Sequence, residues 1–202
     1  MGRRSRHFWR TWSHDAPPYT STIERVRAAL DQTFAEIDGW FDRPEALRAY
    51  KPASGGWSID EVQEHVTLTS HFLLIVIRQS AEKGLKRAGR GTPIPDGESD
   101  LDLLEPIGRR GSFSWSRPEH MIPTGKAPSR EVRERMDAQY RECVDILDRL
   151  RGGEGALHKV RMSVNGSGRL DVYQWLYFLA QHAARHIDQM RENEAEWPTI
   201  KA

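Results

Sequence analysis

Four stretches of the chain repeat apolar residues at three- and four-residue steps, each long enough for a helix of roughly twenty residues. The spacing predicts helices over about Ser21–Phe41, Ser58–Lys83, Ser129–Leu150 and Asp171–Asn193. The first carries Ile23, Val26, Leu30, Phe34, Ile37 and Phe41; the third carries Val132, Met136, Tyr140, Cys143, Leu147 and Leu150. A helix with a single apolar stripe must bury it against a neighbour. Four such helices with no comparable strand pattern dictate an all-α fold, a four-helix bundle. Start signals support the boundaries. Ser21 with Glu24, Ser58 with Glu61 and Asp171 with Gln174 are capping-box patterns, and Pro128 precedes the cap residue Ser129. Gly152 and Gly153 stop the third helix.

The connections are uneven. Pro44 to Trp57 joins the first two helices, with Pro52, Gly55 and Gly56 as breakers. About 45 residues, rich in Gly and Pro, separate the second from the third, an uncommon length inside a compact domain. A parallel neighbour explains it, because the chain must return along the full bundle before starting again. The third connection, Gly152 to Leu170, is polar and Gly-rich, with one β-like run from Val160 to Val164. The expected organisation is a basic, aromatic extension over 1–20 and one bundle domain over 21–202.

Composition excludes several classes. Net charge is +1, from 30 basic and 29 acidic residues, so no global field steers the chain to nucleic acid or an acidic membrane. Phe72 to Ile77 is the longest apolar run, far short of a membrane span, and the first residues lack the apolar core of a signal peptide. Cys143 is the single cysteine, which suits a reducing cytoplasm. It falls on an apolar stripe and reads as a small buried hydrophobe, not a nucleophile.

The chemistry-bearing residues are histidines. His182 and His186 lie four apart on the apolar stripe of the fourth helix, beside Val172, Trp175 and Leu179. Residues at that spacing point the same way, so both rings can reach one metal ion. His65 occupies the same kind of position on the second helix, with Ile59, Val62, Thr69 and Phe72. Both stripes must face inward, so the three rings can meet in the bundle interior. A buried imidazole is costly without partners, and an isolated one is usually a satisfied core residue; convergence of three favours a metal. Three neutral ligands leave a coordination position open, the pattern of catalytic sites. Such an ion either lowers the pKa of a water for hydrolysis or activates a thiol for S-transfer. The residue after His182 is Ala183, so the glutamate base of HExxH metalloproteases is missing. Glu61 and His120 are the weak catalytic candidates. Glu61 has a competing role in its capping box, and His120 and His158 lie in connections where a plain loop histidine is the default.

Two segments resemble a known family. Gly56-Trp-Ser-Ile-Asp-Glu-Val-Gln-Glu-His65 is similar to the second-helix motif of the DinB/YfiT-like superfamily. Gly168 through His182, continuing to His186-Ile-Asp-Gln189, is similar to its fourth-helix motif. The resemblance runs from about Ser21 to Gln189 and implies a bundle in up-down-down-up order. It implies a divalent metal, zinc or nickel, on His65, His182 and His186. Relatives include metal-dependent thiol transferases using low-molecular-weight thiols and proteins described as metal hydrolases. It also leaves a non-catalytic metal-binding or ligand-sensing bundle as the alternative. The ligand depths place the site near the start of the second helix and the later half of the fourth. Trp57 then becomes a pocket wall, and the long crossover and the Gly152–Leu170 connection are both expected to meet the pocket. The expected partner is a small-molecule substrate. Trp12, Tyr19, Trp40 and Trp115 exceed what one bundle is expected to bury, so a homodimer is also expected.

Overall fold

The computed structural model describes residues 17–53, 55–112 and 118–197. Four long helices form the bundle: α1 (Thr20–Trp40), α3 (Ile59–Ala88), α4 (Ser129–Arg149) and α5 (Val172–Glu196); a single turn, α2 (Glu45–Arg48), sits between the first two. Each predicted helix is present. The second runs five residues further than its pattern suggested, to Ala88, and the fourth three further, to Glu196. No helix among the described residues is long and apolar enough to cross a membrane.

Contacts at the helix ends set the directions. Tyr19 stacks on Tyr173 at the starts of α1 and α5, and Arg191 pairs with Glu36 near their ends, so the two run parallel. Arg149 pairs with Glu82 at the ends of α3 and α4, while Arg48 bridges Asp60 and Ser129 at their starts; these also run parallel. Asn193, late in α5, donates to the Trp57 carbonyl just before α3, so α5 and α3 are antiparallel. The core between them is built mainly of apolar side chains, with Leu30, Ile37, Ile59, Ile77, Leu147 and Phe178 at 2% exposure or less. Each such side chain contributes about 2 kcal/mol through burial.

The crossover demanded by the parallel pair α3–α4 is visible. It follows α5 from Asp100, whose carbonyl accepts from Gln174, through a 3-10 turn at Asp102–Gly108 that buries Leu104 and Ile107. Arg110 then pairs with Glu192 late in α5. The chain crosses to the start of α3, where a turn at Glu119–Met121 and the Thr124–Gly125 backbone dock before α4 begins.

Several expectations need correction. The boxes at Ser58 and Asp171 form, but the one at Ser21 does not. Helix α1 starts a residue earlier, after Tyr19 in a left-handed conformation (φ 63). The Glu98 carboxylate, reaching in from the crossover, accepts from the Thr22 amide and hydroxyl and replaces the local cap. Pro128, not Ser129, is the cap position of α4; the Ser129 hydroxyl accepts from Arg48 instead. Tyr19 and Trp40 are buried within the single chain, at 5% and 4% exposure, and so supply no surface for a second copy. Trp12, Trp115, His7, His14 and all but the last residues of the 1–20 extension lie outside the described residues.

The Gly152–Leu170 connection contains a short 3-10 turn (Glu154–Leu157) and a two-stranded antiparallel hairpin. Its strands are β1 (Val160–Met162) and β2 (Gly168–Leu170), with Arg161 opposite Arg169. It packs at the end of the bundle away from Trp57. A Cβ built on Gly84 in α3 would lie 2.5 Å from the Glu154 carbonyl oxygen, and Tyr173 donates to the Leu150 carbonyl. The expectation that it borders the pocket is therefore wrong. Because α4 runs parallel to α3, it delivers the chain to the C-terminal end of α3.

Candidate metal centre

Helices α3 and α5 bring three imidazoles together. His65, His182 and His186 each offer a ring nitrogen, and these atoms all lie within 4.8 Å of one another. Ring centroids are 5.4 Å apart for His65–His182 and 4.7 Å for both His65–His186 and His182–His186. The convergence follows from helix geometry. His182 and His186 are one turn apart on α5, and the antiparallel α3 presents His65 at the same level. His65 and His182 are 4% and 3% exposed, and His186 is half-buried.

Neighbouring groups orient two of the rings. His65 Nδ1 lies 2.6 Å from the Met121 carbonyl oxygen, which can only accept, so Nδ1 carries the proton and Nε2 is the lone-pair atom of the neutral ring. His186 Nδ1 donates to Gln189 Oε1 at 3.1 Å, to the same effect. Partners of this kind hold ligand histidines in one tautomer and orientation. Burial pushes His182 well below the usual imidazole value, and the neighbouring His186 and His65 add to the shift. Burial also takes His186 down to about 3, with His65 the next cause. The protonated forms of His182 and His186 are suppressed, and imidazoles with converging nitrogens suit a divalent cation.

The triad lies against a cavity of about 320 Å³. Gly55, Gly56 and Trp57 form one wall, and the Trp57 ring sits 4.7 Å from His65. Thr69 of α3 lines a second side; its hydroxyl has no hydrogen-bond partner among the described residues. Met121 and Arg110 from the crossover and Arg185 and Gln189 from α5 complete the lining. Trp57 and the crossover therefore border the cavity.

The two weak catalytic candidates do not line it. Glu61 closes the capping box of α3 and pairs with Lys51. Burial acts to raise its carboxyl, but the bonds from Lys51 and Ser58 prevail and hold it below the usual range. His120 is exposed and packs on the Phe72 ring at 4.2 Å. His158 lies at the far end of the bundle, its pKa lowered by burial and then by Arg87. Cys143 is buried among apolar side chains, which push its thiol up to about 12.

Sequence reasoning missed Glu64. This carboxylate is 7% exposed and accepts from Thr124 N, Thr124 Oγ1 and Gly125 N at 3.1, 2.8 and 2.8 Å. It pins the crossover beside His65, the ring that Met121 orients. The sequence carried no signal for it: Glu64 lies off the apolar stripe of α3, on a face that the crossover covers. Arg110 and Arg185 were missed too, because a surface arginine carries no pattern of its own.

The model of the DinB superfamily matches residues 22–190, most of the chain and all three histidines. The chain is 30% identical over 167 residues to the uncharacterized protein YuaE of Bacillus subtilis (strain 168), a match covering 80% of this chain and 90% of that one. No solved structure gives a significant match. With the helical fold and the histidine cluster already in place, the family match makes this chain a member of the DinB superfamily.

Proposed function

We propose that this protein is a metal-dependent enzyme acting on a small molecule, with His65, His182 and His186 as the ligands of one divalent ion, zinc or nickel. The observation that carries the reading is the position of the three rings. They converge on an open cavity, where a purely structural site would be closed by a fourth protein ligand. Held there, a divalent ion supplies Lewis acidity to a thiol or to a water.

The chain's own residues favour the thiol. Hydrolysis ordinarily draws on a general base within reach of the water. The described lining contains no carboxylate, and Glu61 is committed to its cap and to Lys51. A low-molecular-weight thiol as cosubstrate asks less of the protein, which need only bind and orient the two reactants. Met121 and Gln189 hold two of the rings in place, and Trp57 walls the cavity. S-transfer to an electrophilic small molecule is therefore preferred over hydrolysis.

The alternative is a metal that merely braces the bundle. The extensive apolar core argues against it, since α1, α4 and most of α3 pack without the triad. Metal removal by a chelator separates the two. A bracing site predicts an unfolded apoprotein, and the enzyme reading predicts a folded one. The direct test is thiol consumption by the zinc- or nickel-loaded protein with a panel of electrophiles. Trp57→Ala should lower that turnover while metal content stays whole. No turnover with any thiol, or with ester substrates, sinks the enzyme reading. Normal turnover in a stable Trp57→Ala variant removes Trp57 from the site.

A further inference from the structure

We infer that the hairpin end of the bundle docks on an acidic lipid surface, held by Lys83, Lys86, Arg87 and Arg90 at the end of α3 and by Arg161 and Arg169 of the hairpin. The inference is independent of the metal reading and concerns the opposite end of the molecule.

An overall charge of +1 rules out a chain-wide field but not a local one. Along the sides of the bundle, arginines meet carboxylates. Arg25 pairs with Asp102, Arg133 with Asp38 and Asp42, and Arg191 with Glu36. The cations of the hairpin end are all exposed, and none of those named pairs with a carboxylate among the described residues. Arg87 donates to the Leu157 carbonyl and Arg169 to the Lys159 carbonyl at 2.6 Å, both neutral acceptors. Arg161 is the register partner of Arg169; Met162 and Leu170 turn inward, so both arginines face out. Like charges directly opposite on a ladder are destabilising. Arg87, Lys83 and Arg169 converge on His158, whose pKa they lower after burial has done so. Acids of the same end are committed elsewhere: Glu82 to Arg149, Glu98 to Thr22, and the buried Asp171 to Ser99 and Gln174. The dipole of α3 accounts for Lys86 and Arg87 in its last turn, but not for the arginines of the hairpin.

The partner is read by charge. Neither the end of α3 nor the hairpin leaves a large apolar side chain exposed; those that are, Leu103 and Ile122, belong to the crossover. The patch thus offers no stacking platform for single-stranded nucleic acid and no wedge for a bilayer. A duplex is a cylinder and meets the end of a bundle along a narrow strip, whereas a plane of headgroups meets it across its full width. Clusters of about four to eight Lys or Arg are what hold proteins to anionic lipid. Docked this way, the protein keeps its cavity free, because Trp57 lies at the other end, beside Asn193 late in α5.

The probes are vesicles of phosphatidylcholine alone and of phosphatidylcholine mixed with phosphatidylserine. In co-sedimentation at low salt, the full chain should partition into the mixed vesicles about tenfold or more above the neutral ones, and added salt should release it. Each cation near such a surface is worth about fivefold, so Lys83→Gln/Arg161→Gln/Arg169→Gln should lose about 100-fold. Arg3, Arg4, Arg6 and Arg10 carry charge as well, and a full-length variant with all four changed to Gln should keep most of the binding. Thermal unfolding checks each fold. If the triple variant fails to fold, Lys83→Gln/Arg161→Gln carries the comparison, with a loss of about 25-fold expected. Equal partition into both vesicle types, or no partition at low salt, overturns the inference. So does a triple variant within about threefold of the parent, or binding lost with the four N-terminal arginines and kept in the triple variant. A short duplex DNA bound more tightly than the mixed vesicles at the same salt makes the partner a nucleic acid and overturns the lipid assignment.

Discussion

Replacing Glu64 by Ala should cost this protein both stability and metal affinity, although Glu64 is not a ligand. The carboxylate is 7% exposed and receives two backbone amides and one hydroxyl from Thr124 and Gly125. A hydrogen bond to a charged group is worth about 1.5–3 kcal/mol net. Three bonds to one carboxylate are not additive, and the Thr124 hydroxyl can turn to water when its partner is lost. The expected cost of Glu64→Ala is therefore about 3–4 kcal/mol. At about 2–4 °C per kcal/mol for a chain of this size, the unfolding midpoint should fall by roughly 6–16 °C. Glu64→Gln keeps one acceptor oxygen and turns its NH₂ toward the donors, so about 1–2 kcal/mol is expected. The same change loosens the segment whose Met121 carbonyl holds His65 Nδ1. Loss of such an outer partner typically costs 10–100-fold in metal affinity. Thermal unfolding by circular dichroism and zinc competition against a chromophoric chelator read the two effects. If Glu64→Ala melts within 2 °C of the parent, a shift of under about 1 kcal/mol, and binds zinc as tightly, then the clamp neither stabilises the fold nor supports the site.

Two helix glycines should respond with opposite signs. Gly39→Ala in α1 meets no atom within 4 Å and should gain about 0.5–1 kcal/mol from helix propensity, whereas a Cβ at Gly84 falls 2.5 Å from the Glu154 carbonyl and should cost about 1–3 kcal/mol; urea unfolding of both variants decides. Burial raises the Asp171 carboxyl above its usual value against the hydrogen bonds from Gln174 and Ser99. A raised carboxyl contributes stability below its unfolded value, near 4, that is lost as pH rises through the folded one. Asp171→Asn retains a good cap and should gain stability relative to the parent as pH rises across that window, while Asp171→Ala should lose about 1–2 kcal/mol below the window and less above it; unfolding midpoints at several pH values check both.

The helices were legible in the sequence because their stripes are local: Val26, Leu30 and Ile37 at helical spacing need no knowledge of the rest of the chain. The triad was legible for the same reason, since histidines in place of apolar residues on two stripes must converge if those stripes do. What escaped was fixed by chain returning from far away. Glu98 caps α1 from 76 residues downstream, so the local box at Ser21 lost to a tertiary partner. Glu64 and Met121 act through a crossover that has no periodicity, and its docking on α3 depends on backbone amides and carbonyls that every residue carries. The place of the hairpin connection was legible after all: the parallel pairing that the long crossover requires sends α4 to the C-terminal end of α3, away from the start of that helix where the ligand depths put the site, so the expectation that this connection meets the pocket conflicted with the topology.

The central claim is that His65, His182 and His186 hold one divalent ion, and metal content tests it most directly. Elemental mass spectrometry on the purified parent chain should give one zinc or nickel per chain. His65→Ala, His182→Ala and His186→Ala should each lose most of it while remaining folded by circular dichroism. Full metal retention in all three variants, or a parent chain that takes up no divalent ion after incubation with zinc and nickel, would contradict the account.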